Sequence, residues 1–272
     1  MKEGDIERNI MKKLKLGLVG CGFLGNIIAD AWRDGLLEEY EFSGCMSRTM
    51  ESTQTLSEKT GCKACGSLEE LLALKPDYVV EAASPAVVKD VAEKVLLNGS
   101  NLIILSIGAF ADSEFMKKIM ETARKAGVRV HLASGAIGGF DVLRTAALMS
   151  GGIQSSITTE KGPESLEGTP IFRESLLTEA AKTEVFAGNA KDAIALFPTK
   201  VNVAVATALA TSGPKKTGVT IRSVPGFRGD DHKIEVVGEE VHAVVDIYSK
   251  TSAIAGWSVV ALLRNLVSPI VF

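Results

Sequence analysis

The chain has 272 residues, 46% of them hydrophobic and 23% charged, with a formal net charge of −3. This composition suits one large or two ordinary globular domains and offers no basic excess for a nucleic-acid surface. No apolar run reaches the roughly 18 residues of a membrane-spanning helix, so neither nucleic acid nor membrane is expected as a partner.

Residues 1–10 are polar and charged and lack the apolar stretch of a signal peptide. They read as a flexible leader, and a cytoplasmic location is expected. A short apolar strand then runs into Gly20-Cys21-Gly22-Phe23-Leu24-Gly25, a G-x-G-x-x-G with a helical pattern over 23–32. A strand before and a helix after give the spacing its dinucleotide-binding context. Gly20 turns the chain, Gly22 lets a pyrophosphate approach the backbone, and Gly25 packs the helix on the sheet. Phe23 and Leu24 open the helix whose N–H groups face the phosphates.

The second strand, 40–46, ends in Ser47-Arg48. An acid there would bond the ribose 2′-OH and repel a 2′-phosphate. Ser47 is neutral and Arg48 can pair with phosphate, so NADP is expected to serve as well as NAD. Helical segments follow at 56–60 and 68–74, then a buried strand at 77–83. Ser84-Pro85 opens a helix to about Leu97. Ala83 and Ser84, at that strand end, are assigned to the cofactor. Strand 101–105, a turn at 106–109, helix 112–126 and strand 128–132 complete the series. This alternation means parallel βαβ units in a sheet covered on both faces.

All four cysteines fall in this first part, at Cys21, Cys45, Cys62 and Cys65. Cys62-Lys63-Ala64-Cys65 is a C-x-x-C without a second ligand pair, so no metal is expected. It reads as a surface thiol pair in a reducing compartment.

From Ser134 the character changes. Ser134-Gly135-Ala136-Ile137-Gly138-Gly139-Phe140-Asp141 leads into a helix at 142–149. Strand patterns lie at 153–159, 217–223 and 233–248, with helices at 174–187 and 201–210. The last helix, 252–266, is apolar on several sides and must be buried. The fold class is therefore α/β. An N-terminal Rossmann dinucleotide-binding domain (11–135 plus 251–272) carries a second α+β domain (136–250) for catalysis and dimerisation.

Three histidines are present. His131 sits in a buried strand and reads as structural, and His242 in a regular strand can face solvent. His232 follows the turn-rich Gly226-Phe227-Arg228-Gly229-Asp230-Asp231. A loop histidine beside carboxylates, opposite a cofactor, suits acid–base work near neutral pH. Spacing alone leaves an ordinary surface histidine equally open.

Five segments occur in order: the glycine motif, Ser134-Gly135-Ala136-Ile137-Gly138-Gly139, Phe197-Pro198-Thr199-Lys200-Val201-Asn202-Val203-Ala204, Asp231-His232-Lys233-Ile234-Glu235-Val236 and Lys250-Thr251-Ser252. Together they resemble the L-aspartate dehydrogenase family over nearly the whole chain after Met11. The resemblance implies NAD- or NADP-dependent oxidation of L-aspartate to iminoaspartate. That product can supply quinolinate for NAD synthesis or hydrolyse to oxaloacetate and ammonia. The resemblance also implies a homodimer, cofactor contacts at Ala136 and Asn202, and an active-site histidine at His232. The chain departs from the family at Ser47-Arg48, where Asp-Arg is common, and at Lys200, where Asn is usual. It departs again at Tyr248-Ser249-Lys250-Thr251-Ser252, where N-P-K-T-S is usual. Two substrate carboxylates need cationic or hydroxyl partners, and Lys200, Lys250, Thr251 and Ser252 are the candidates. The alternatives are a dihydrodipicolinate-reductase-like or homoserine-dehydrogenase-like oxidoreductase, or a dinucleotide-binding sensor without turnover. The intact His232 segment argues against the sensor.

Overall fold

A computed structural model describes residues 12–149, 152–197 and 202–272. The expected leader therefore lies outside the described residues. The first half alternates strands and helices: β1 (Leu14–Val19), α1 (Phe23–Arg33), β2 (Tyr40–Met46), α2 (Met50–Thr60), β3 (Lys63–Ala64) and α3 (Leu68–Leu72). It continues with β4 (Tyr78–Glu81), α4 (Pro85–Leu97), β5 (Asn101–Ile104), a 3₁₀ turn (Ile107–Ala111), α5 (Ser113–Ala126) and β6 (Val130–Leu132). The strands form one parallel sheet in the order β3-β2-β1-β4-β5-β6. Leu16, Leu18, Val79, Val80, Leu102 and Ile103 are buried, because helices cover both faces and each strand carries apolar side chains on both. The chain order reverses between β2-β1 and β4, which opens a crevice at the carboxyl ends of these strands.

The second half consists of α6 (Phe140–Met149), β7 (Gln154–Lys161), 3₁₀ turns at Pro163–Leu166 and Glu174–Leu177, β8 (Thr183–Asn189), α7 (Ala190–Leu196) and α8 (Asn202–Ala210). β9 (Thr217–Ser223), β10 (Asp230–Val237), β11 (His242–Ser249) and α9 (Ala253–Val267) end it. The strand order is β11-β10-β7-β9-β8, and every neighbouring pair is antiparallel except β7–β9. Alternation sorts the faces: His232, Ile234 and Val236 of β10 are buried, while Lys233 and Val237 are exposed.

The helix expected over 174–187 is not formed. Its start is the 3₁₀ turn Glu174–Leu177, and its end is strand β8. The Glu179-Ala180-Ala181-Lys182 run has helical propensity, but Thr183 and Phe186 fit a pleated surface and pair with β9, with Val185 at a bulge between them.

α9 packs on the first sheet's helical layer. Gly256 lets it approach Ile27 of α1, where an added Cβ would meet Ile27 at 3.0 Å. Tyr40 Oη donates to Leu263 O at 2.8 Å, and Arg264 donates to Leu36 O at 2.7 Å. The C-x-x-C thiols are not on the surface. Cys62 and Cys65 are buried and free, because the short β3 between them pairs with β2 and draws both inward. Among the described residues no cluster of three metal-ligating groups is found, and no helix is long and apolar enough to cross a membrane.

Candidate active site

The crevice begins at the glycine turn. Gly20 has φ +111°, and a Cβ there would stand 2.5 Å from Ala82 O. Its N–H donates to Met46 O at 2.8 Å, so the turn is pinned between the ends of β2 and β4. A Cβ on Gly25 would overlap the Gly20 carbonyl oxygen. Gly22 differs, because nothing lies within 4 Å of where its Cβ would be. α2, α3, α4 and α5 are capped by the side chains of Thr49, Ser67, Ser84 and Asp112. α1 has no side-chain cap and no acid in its first turn. Its leading N–H groups and positive dipole end therefore face an open, small-residue cradle, which fits a dinucleotide pyrophosphate. Phe23 stands exposed at the helix start. Ser47, half-buried, and Arg48, exposed, follow Met46 directly and so lie beside the turn.

A cavity of about 450 Å³ lies between the two sheets. The first sheet's strand ends supply Ala82, Ala83, Leu105 and Ser106, α1 supplies Leu24, and the connecting loop supplies Ser134, Gly135 and Ala136. The second sheet supplies Ile157, Thr159, Lys161, Asp230 and His232, α8 supplies Asn202, and the start of α9 supplies Ser252 and Ala255. Six residues singled out in the sequence thus line one cavity: Leu24, Ala83, Ala136, Asn202, His232 and Ser252. Lys250 and Thr251 do not line it; Thr251 Oγ1 accepts from Ala253 N–H at 3.3 Å. Ser84 caps α4, accepting from Val87 N–H at 3.3 Å. Lys200 lies outside the described residues. Asn202 Oδ1 accepts the Gly108 N–H at 2.8 Å and so ties α8 to the 3₁₀ turn after β5.

His232 is not a loop residue. It is the third residue of β10 and only 4% exposed, because β10 begins earlier than the sequence suggests, at Asp230. The antiparallel register with β7 sets Thr159 opposite His232 and Lys161 opposite Asp230. His232 Nδ1 is 2.9 Å from Thr159 Oγ1. Lys161 Nζ is 3.0 Å from Asp230 Oδ1. Burial pushes the imidazole pKa down to about 4; the Asp230 carboxylate opposes this and the Lys161 ammonium adds to it. His232 is therefore a neutral imidazole at physiological pH. Thr159 and Lys161 escaped the sequence reading because only the strand register brings them to His232.

Glu81 was also missed. It is 0% exposed at the end of β4. Oε1 accepts from Ala83 N–H at 2.8 Å and from Ser106 Oγ at 2.9 Å, and Oε2 accepts from Ser106 N–H at 3.1 Å. Burial raises its pKa against the pull of these donors. Its role here is visible: it clamps the ends of β4 and β5 that form one cavity wall. The remaining histidines stand elsewhere. His131, half-buried on β6, lies 6.1 Å from the Tyr78 ring, and burial lowers its pKa. His242 is exposed, with Nε2 2.7 Å from Glu235 Oε1.

Known proteins resemble the chain in sequence and fold. Residues 20–133 match the family described as homoserine dehydrogenase, NAD binding domain, and residues 141–266 match aspartate dehydrogenase, C-terminal. The chain is 34% identical to L-aspartate dehydrogenase of Methanocaldococcus jannaschii over 266 residues, covering 94% of this chain and 98% of that protein. Against L-aspartate dehydrogenase of Methanococcus maripaludis it is 34% identical over 267 residues, with the same coverage of 94% and 98%. The crystal structure of aspartate dehydrogenase from Thermotoga maritima superposes with a TM-score of 0.78 at 28% identity, covering 96% of this chain and 100% of that one.

Proposed function

The chain belongs to the L-aspartate dehydrogenase family and is an NAD(P)-dependent oxidoreductase of the CH–NH₂ group; we propose how its own residues oxidise L-aspartate to iminoaspartate. The observation that carries the reading is a buried, neutral histidine facing the same cavity as the strand ends and loop beside the glycine turn.

Gly20, Gly22 and Gly25, with Phe23 and Leu24 at the start of α1, hold the pyrophosphate. Ser47 and Arg48 take the adenosine ribose end, and Ala83, Ala136 and Asn202 line the path to the reacting end, with Ser84 next to them capping α4. When bound, the nicotinamide supplies the hydride acceptor. Thr159 and His232 supply the proton chemistry. With Nδ1–H donating to Thr159 Oγ1, Nε2 keeps its lone pair and can take a proton from the substrate ammonium. The freed nitrogen lone pair then forms the C=N bond as the Cα–H bond leaves with its electron pair. The same imidazole serves a water that hydrolyses the imine to oxaloacetate and ammonia, unless iminoaspartate leaves first to feed NAD synthesis. Ser252 is retained as a substrate hydroxyl, since it lines the cavity.

The test is absorbance of the reduced nicotinamide with L- or D-aspartate and with NAD or NADP. Reduction with L-aspartate alone, with NADP accepted beside NAD, is the expected result. Cofactor binding without reduction would move the protein to another substrate or to the sensor reading.

We also propose a homodimer. Val142, Leu148 and Met149 of α6 and Val244 and Tyr248 of β11, two packed elements, expose apolar side chains. Light scattering behind size exclusion is expected to give twice the chain mass; a monomer at micromolar concentration would refute it. The four unpaired cysteines suit the reducing cytoplasm, where we place the enzyme.

A further inference from the structure

The cavity wall holds an ion pair that the proton chemistry above does not use. Lys161 and Asp230 are a cross-strand pair next to Thr159 and His232, on the same face of the sheet. Their side chains are 22% and 36% exposed, and an ion pair so open to water contributes little to stability. Among the described residues, Lys161 is the one lysine or arginine lining the cavity; apart from Asp230, His232 and Asn202 the other lining residues are apolar, small or hydroxyl-bearing. Lys250, a cation expected from the sequence, is not in the lining.

We propose that Lys161 receives the distal carboxylate of the substrate and so sets the preference for a dicarboxylic amino acid. The proposal rests on the reading that an amino acid is oxidised beside His232. Residues two apart on a strand stand about 7 Å from each other, so Lys161 lies one step along the sheet from the base. A long, flexible stem carries its ammonium the remaining way to a group two bonds from the reacting carbon. The ammonium has three donors. One satisfies Asp230, which holds Nζ in place, and the others remain for the incoming carboxylate. Ser165 and Thr169 also line the cavity, but their hydroxyls donate to Gly162 O and Leu166 O, which leaves the charge of the incoming group to Lys161.

The test compares wild type with Lys161→Met, Lys161→Gln and Lys161→Arg. L-aspartate and L-asparagine are the substrates, since asparagine replaces the distal charge by a neutral amide of equal size. The Met and Gln variants are expected to raise KM for L-aspartate about 100-fold, the scale of losing a charged hydrogen-bond partner, with kcat changed only a few-fold. Their kcat/KM for L-asparagine should stay within about 3-fold of wild type, and the Arg variant should retain most of the aspartate preference. An equal loss on both substrates, or an unchanged KM for L-aspartate, overturns the proposal. NADPH binding, followed by its fluorescence, reports on folding of each variant. Succinate titrated into the NADPH complex separates this proposal from the functional reading. If wild type does not oxidise L-aspartate, that reading falls. Lys161 is then judged by succinate alone: tenfold or more weaker binding in Lys161→Met sustains it, and equal binding refutes it.

Discussion

Replacing His232 with Ala is expected to lower turnover of L-aspartate at least ~100-fold while leaving NADPH binding intact, the scale of a lost general base. The argument is geometric first. His232 faces the cavity, and Thr159 Oγ1 lies 2.9 Å from Nδ1; in the tautomer whose Nδ1–H donates to this oxygen, Nε2 carries the lone pair. The electrostatics set the protonation state and not the base strength: with burial holding the pKa at about 4, the imidazole of the free enzyme is already neutral, and its uptake of the substrate proton is uphill and is drawn forward by loss of the hydride. The acid limb of kcat/KM that belongs to His232 should therefore lie near pH 4, and a limb near 6.5 would mean a solvated imidazole. His232→Asn is the control for folding, since its amide can replace the bond to Thr159. Near-normal turnover in both variants would remove His232 from the mechanism. Stability gives a second readout. The folded pKa is below the unfolded one, so the unfolded chain binds the extra proton as pH falls from about 6.5 to about 4. Stability is lost across that window, by about 3 kcal/mol in all, and the variants should unfold with a flatter acid slope.

The first half of the fold was legible because a parallel sheet buried on both faces writes each strand as a continuous apolar run between turn signals. The glycine fingerprint was legible for the same reason: the strand before it and the helix after it supplied its context. His232 was found through resemblance, yet its surroundings were misjudged. The Gly-rich approach suggested a loop, while the chain re-enters the sheet at Asp230. Thr159 and Lys161 precede His232 by some seventy positions, and alternation shows which face a residue takes but not which residue stands opposite. Glu81 carried a usable signal, an acid inside an otherwise apolar strand next to a turn, and it passed as part of that strand. The misread helix over 174–187 shows local propensity overridden by pairing: β8 gains backbone partners on β9 that an isolated helical turn would lack.

Gly25→Ala and Gly22→Ala are expected to separate folding from cofactor binding. The two glycines belong to one motif, but their surroundings differ. A methyl group at Gly25 overlaps the Gly20 carbonyl oxygen and comes within 3.2 Å of Leu18 Cδ2. Gly20 is held in place, because its N–H is bonded to Met46 O and the chain there runs so close to the end of β4 that a Cβ would meet Ala82 O. α1 must then lift off the sheet, and a loss of at least ~3 kcal/mol is expected, which for a chain of this size lowers the melting temperature by about 10 °C. At Gly22 the backbone is ordinary, φ −79°, and the methyl meets no protein atom within 4 Å. The small cost of Ala at a helix N-cap is offset by the reduced freedom of the unfolded chain, so stability should move by no more than about 0.5 kcal/mol. The methyl instead occupies the space through which a pyrophosphate reaches the N–H groups of α1, and NADPH affinity should fall at least ~10-fold. Thermal melting and NADPH titration of the two variants check both halves. Wild-type affinity in Gly22→Ala would mean that the pyrophosphate does not sit on this turn. Wild-type melting in Gly25→Ala would mean that the helix has room to move, and that the close packing of α1 on β1 is not what requires glycine there.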